Sequence, residues 1–200
     1  MKNYVCLNGK KIEFTAEQVK EIEKILLPKV RLGDVKAGET ATIREREYIV
    51  LKHDASGTHL LMRNFLDTMR FGDSCDFKNS DVKKALDEFA DELASIVGKD
   101  NIFTHEVDLT SDDGLKGYGT TKARVSLLTC NMYREHVELI DKYEVDDYWW
   151  LATPWSTPKH YDSTLVKCVS PSGGIINCIS NYFNRGVRPF CILNSDIFVS

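Results

Sequence analysis

The chain has no apolar run near the roughly 20 residues that a membrane-crossing helix needs, so no membrane partner is expected. Its first residues, MKNYVCLNGKKIEF, lack the apolar centre of a secretory leader. The chain is therefore expected to start in the cytosol of the cell that makes it, a condition that a virion component also meets. Basic charge is not in excess. With 26 Lys and Arg against 30 Asp and Glu, the net charge is −4. No positive field is offered to phosphates, and no nucleic-acid partner is expected.

Motifs for several chemistries are also missing. The six cysteines form no CxxC and no Cys/His cluster at zinc spacing. The five histidines include no pair at i,i+4, which excludes a zincin-type helix. No GxSxG elbow occurs, and no glycine-rich loop ends in Gly-Lys-Ser/Thr. Asp108, Asp112 and Asp113 gather in a glycine-rich segment. Their spacing does not fit a calcium-binding EF loop, so a polar turn is expected there, with calcium as the weaker alternative. No cofactor and no metal are expected.

What is present is an ordinary globular composition. Hydrophobic residues make up 42% and charged residues 28% of the 200, enough for one domain with a core and a small appendage. The proposed division is residues 1–30, a hairpin and helix, and residues 31–200, the main domain. Asn8-Gly9 between Lys2–Leu7 and Lys10–Phe14 is a strong hairpin signal. Thr15 and Gln18 have capping-box spacing before an apolar face that runs to Leu27 and stops at Pro28. The segments 40–43 and 48–52 alternate as strands of a second hairpin, and His59–Met62 reads as another strand. Residues 64–72 are expected to be irregular. Ser80 caps the best helix, with Val82, Leu86, Phe89, Ala90, Leu93 and Val97 on one face and Gly98 at its end. Strands are expected at 104–109 and 125–128. Thr129 caps a second helix carrying Asn131, Tyr133, Val137, Leu139 and Ile140.

The C-terminal quarter is the most distinctive part. Tyr148-Trp149-Trp150-Leu151 favours a pleated strand, and adjacent Trp149 and Trp150 must point to opposite faces. At least one of the two is expected in the core. Leu165–Val169 and Ile175–Ile179 flank Ser170-Pro171-Ser172-Gly173-Gly174, a hairpin pattern. Gly186–Leu193 reads as a fourth strand, with Pro189 at an edge or bulge. Arg188 is expected to tie strand ends together against an acidic partner such as Asp146 or Asp147. All six cysteines are expected as free thiols, although Cys168 and Cys178 could face each other across the hairpin.

Trp149-Trp150-Leu151 with Pro154 at one end, and Gly186-Val187-Arg188-Pro189 at the other, resemble the end of a bacterial and prophage-encoded domain of unknown function. That domain resembles the C-type-lectin-like fold of formylglycine-generating enzymes, phage tropism determinants and retroelement variable proteins. The resemblance implies an α+β fold: a C-type-lectin-like core of short antiparallel strands with two helices, preceded by the hairpin–helix unit. It also implies a ligand face between the two tags. The candidates there are Trp155, His160, Tyr161, Asn177, Asn181, Tyr182 and Arg185, with Trp149, Trp150, Arg188 and Pro189 in structural roles.

The Glu-Pro-Asn, Gln-Pro-Asp and Trp-Asn-Asp motifs of calcium-dependent lectins do not occur. The expected function is a non-enzymatic module, phage- or prophage-associated, that presents residues 155–185 to a protein or glycan. One alternative is a thiol enzyme of the formylglycine-generating type, for which Cys178 and Cys191 occupy the matching region. Another is a structural or assembly protein, with a homo-oligomer as the associated state.

Overall fold

Neighbouring residues on a strand face opposite ways, and here both sides of the central strands are covered. The computed structural model describes residues 3–7, 10–19, 29–160 and 164–200. The first strands are β1 (Asn3–Leu7), β2 (Lys10–Phe14), β3 (Val30–Arg31), β4 (Thr40–Ile43), β5 (Arg46–Asp54), β6 (Gly57–Met62) and β7 (Asp67–Met69). After them come β8 (Ile102–Phe103), β9 (His105–Asp108), β10 (Thr120–Ala123) and β11 (Val125–Ser126). The C-terminal set is β12 (Trp149–Pro154), β13 (Leu165–Val169), β14 (Ile175–Ile179), β15 (Arg185–Val187), β16 (Phe190–Leu193) and β17 (Phe198–Val199). The helices α1 (Asp81–Val97) and α2 (Cys130–Ile140) join these strands in an α+β fold.

Two sheets organise the main body. One has the order β11–β16–β6–β5–β4, with β8 also paired to β16. The other has the order β14–β13–β12–β15–β7. Trp150, Val50, Leu60, Cys191 and Leu193 enter one apolar cluster, which also holds Val82, Leu86, Phe89 and Leu93 of α1. Their neighbours Trp149, Ile49, Leu51, Leu61, Phe190 and Ile192 enter a second cluster with Cys130, Tyr133 and Ile140 of α2. One helix thus covers each face. Both tryptophans are core, and the N–H of Trp150 donates to the Met69 carbonyl at 2.8 Å.

The helix starts follow capping chemistry. The Ser80 hydroxyl accepts from the Lys83 amide at 3.0 Å, and the Thr129 hydroxyl from the Met132 amide at 3.3 Å. The buried face of α2 differs in part from the expected one: it carries Cys130, Tyr133, His136 and Ile140, while Asn131 is exposed. The expected irregular stretch 64–72 contains the short β7, which pairs with β15.

The expected single strand 186–193 is two strands. β15 pairs with β12 and β7, and β16 pairs with β11, β6 and β8, so the chain changes sheet at Arg188-Pro189. Proline has no amide to donate, and its carbonyl here accepts from the Met62 amide at 2.8 Å. Pro189 is buried at this crossover.

In the N-terminal segment, β1 and β2 pair antiparallel with each other, Asn3 opposite Phe14 and Leu7 opposite Lys10. The capping box forms: the Thr15 amide donates to the Gln18 side chain at 2.9 Å, and the Gln18 amide to the Thr15 hydroxyl at 3.2 Å. Residues 16–19 are helical. The Asn8-Gly9 turn, the rest of the helix to Leu27 and its stop at Pro28 lie outside the described residues.

Candidate ligand-binding face

The hairpin of β13 and β14 carries the expected face. Its register runs from Leu165 opposite Ile179 to Val169 opposite Ile175. The turn closes through Ser170: its amide donates to the Gly174 carbonyl at 2.8 Å, and its hydroxyl accepts from the Gly174 amide at 3.1 Å. Gly173 takes a φ of 81°, a left-handed value that glycine adopts without a Cβ clash.

Cys168 and Cys178 are joined by a disulfide, with their Cα atoms 6.2 Å apart. The expectation of six free thiols is corrected here. Cys168 lies opposite Ile176 and Cys178 opposite Val166, so the bond runs diagonally across the hairpin, within the usual span of such bridges. Cys130 and Cys191 are free and buried, and Cys75 is buried beside the Tyr118 hydroxyl.

β14 is the outer strand of its sheet. Asn177 is exposed, and Ile176 and Ile179 remain open to solvent on opposite faces of the strand. In the following loop Asn181 is exposed, and Tyr182 keeps 73% of its surface accessible. Tyr182 and Phe183 meet edge to face with centroids 4.4 Å apart. Arg185 sits beneath this pair. Its guanidinium lies 4.8 Å from the Phe183 ring and 4.7 Å from the Tyr148 ring. It also faces the Asp147 carboxylate at 3.9 Å. The acidic partner expected for Arg188 is therefore beside Arg185 instead.

Arg188 has a different environment. It is 1% exposed, and its Nε donates to the Met62 carbonyl at 3.1 Å. Its guanidinium lies 4.8 Å from the Trp149 ring. Burial pushes its pKa down to about 10, which leaves it charged at neutral pH.

Residues 155–157 contribute less surface than expected. Trp155 is half-buried, and its amide donates to the Leu165 carbonyl at 2.9 Å. Ser156 and Thr157 are buried, and the Ser156 hydroxyl donates to Asp113 at 2.6 Å. His160 is exposed. Tyr161 lies outside the described residues. The structure thus brings Asn177, Asn181, Tyr182 and Arg185 to β14, the loop after it and the start of β15, and leaves Trp155 partly withdrawn.

Reactive groups elsewhere are engaged. Ser56 and Asp54 both contact the same ring nitrogen of His59, each at 3.0 Å. A relay needs the acid and the hydroxyl on different nitrogens, so this trio ties a β-turn. Burial raises the Cys191 thiol to about 12, and Cys178 is in the disulfide. Neither supplies a thiolate at neutral pH.

Among the described residues, no three His, Cys, Asp or Glu side chains gather at metal-binding geometry. The acidic turn is tied to protein donors. Asp108 accepts from Thr110, and Asp113 from Ser111 and Ser156. Burial opposes ionisation of Asp112, yet Lys167 at 2.9 Å and Arg134 at 3.3 Å hold its pKa below the usual carboxylate range.

Phe183, which the sequence also placed on this surface, is exposed. Ile179 adds apolar surface that was not expected there, and the signal for it was its place at the end of a predicted hairpin strand. Against known proteins, the chain matches no family model, no curated protein and no solved structure.

Proposed function

We propose that this chain is a non-enzymatic binding module. It presents β14 and residues 181–185 to a protein partner. The observation that carries the reading is the Tyr182–Phe183 pair, open to solvent, backed by Arg185 and following directly on a disulfide-linked hairpin. Exposed aromatic, asparagine and arginine side chains on a fixed scaffold suit adaptable recognition. The outer strand, with Ile176 and Ile179 exposed on its two sides, favours a polypeptide over a sugar, because an unpaired edge offers main-chain groups as well as apolar contact.

A C-type-lectin-like core and a phage or prophage setting belong to the same proposal, and rest on the two tags that bracket the face. The test is capture of labelled protein on surface-protein extracts of candidate bacterial hosts, run beside a glycan array. Tyr182→Ala is expected to lower binding about tenfold, the loss of an aromatic anchor, with the melting temperature unchanged. Binding to the protein extract at full strength by the variant overturns the reading. Signal confined to the glycan array moves the partner class to carbohydrate. The third possibility, a second copy of the chain, shows as a Tyr182-dependent change of mass in light scattering.

A further inference from the structure

A cleft on the α2 side of the molecule contains a buried cation with no counter-ion among the described residues. Its cavity of about 170 Å³ is bordered by Tyr133, Trp149, Arg188, Asp141, Glu144 and the Ser170–Gly173 turn. A cleft of this size suits a small molecule and not a folded segment. Arg188 is the buried member. Its Nε has the Met62 carbonyl, but its Nη2 has no hydrogen-bond partner. Among the described residues, no carboxylate forms an ion pair with it.

A buried charge left in this state is costly, and a guanidinium presents parallel donors that match a carboxylate. The opposite charges lie at the rim. Asp141 and Glu144 are exposed. The Tyr133 hydroxyl connects rim and turn, within reach of the Gly173 carbonyl at 2.9 Å and of the Asp141 carboxylate at 3.2 Å, and its single O–H donates to one of them at a time. Tyr133 also meets Trp149 edge to face, with centroids 5.5 Å apart. The cleft therefore has a positive inner end, aromatic walls and a negative mouth.

We infer that this cleft binds a small amino-carboxylate, of the class of a free α-amino acid. The carboxylate accepts from the free Nη2 of Arg188, and the ammonium group faces Asp141 and Glu144. The aromatic walls take an apolar side chain. This site is separate from the Tyr182 face, and neither reading depends on the other.

The test is calorimetric titration of the full chain with phenylalanine, phenylpropanoate, phenethylamine and inorganic phosphate at millimolar concentrations. Phenylalanine is expected to saturate a single site, with each half-ligand weaker by about tenfold, the worth of one charged contact. Asp141→Asn and Glu144→Gln lie on the surface. They are expected to weaken phenylalanine about fivefold and leave phenylpropanoate unchanged. Arg188→Lys is expected to weaken both carboxylates. If that variant does not fold, the rim variants and the half-ligand comparison decide. No saturable heat with phenylalanine overturns the inference. So does equal affinity for phenylpropanoate, or for phosphate.

Discussion

At the scale of single residues, the C-terminal tag explains itself through close packing. Gly186 lies against the Phe65 ring so tightly that a Cβ would come within 2.4 Å of it. Any side chain there must displace an aromatic ring or the strand. Gly186→Ala is expected to cost roughly 1–3 kcal/mol, the usual penalty for overpacking a filled site, read by denaturant titration. His105 supplies a pH dependence. Burial pushes its pKa down to about 4 from an ordinary 6.5. Nδ1 is buried without a well-formed hydrogen bond, the Phe103 backbone only partly offsetting its burial, while Nε2 contacts the Ser126 hydroxyl at 2.9 Å. The folded chain therefore binds fewer protons than the unfolded chain between these two values. Stability present above about pH 6.5 is lost as pH falls towards 4, on the order of 3 kcal/mol in all. His105→Leu is expected to flatten that part of the curve of melting temperature against pH.

At the scale of elements, the hairpin was legible because turn chemistry is local. Ser170–Gly174 specified the reversal, and strands 165–169 and 175–179 stand where the alternation put them. Ser80 and Thr129 were legible as caps for the same reason. The fourth strand was misread because nothing local marks a change of sheet. Pro189 gave the hint, and only the pairing partners of β15 and β16 show that the chain crosses there. The disulfide was open in sequence because pairing depends on cross-strand register, which the spacing alone does not fix. It closes a loop of ten residues, for which the chain-entropy account gives roughly 2–3 kcal/mol. Cys168→Ser and Cys178→Ser are each expected to lower stability by that amount. Reductant is expected to lower the melting temperature of the parent and to leave both variants unmoved.

At the scale of the whole molecule, the sequence pointed to helices and antiparallel strands, and both are present. It could not show that both tryptophans are core, because a dipeptide on a strand exposes one face unless a second layer covers it. That layer is α2, whose buried face includes Tyr133 and Ile140. The candidate site was legible in part. Polar and aromatic composition marked residues 155–185, but the withdrawal of Trp155, Ser156 and Thr157 follows from contacts with distant segments, Asp113 among them. For that reason Tyr182, and not Trp155, is the informative position for the binding test.

The two-sided cover of the central strands also sets where the backbone opens. Trp149–Pro154 of β12 and Gly57–Met62 of β6 are buried along their whole length, whereas four of the five residues of β14 retain solvent contact. Amide deuteration should follow that contrast. The amides of β6 and β12 that bond to neighbouring strands should exchange only when the entire domain unfolds, while the β14 edge takes up deuterium orders of magnitude sooner. The recognition face would then be the part of the sheet that can adjust its backbone without disturbing the rest.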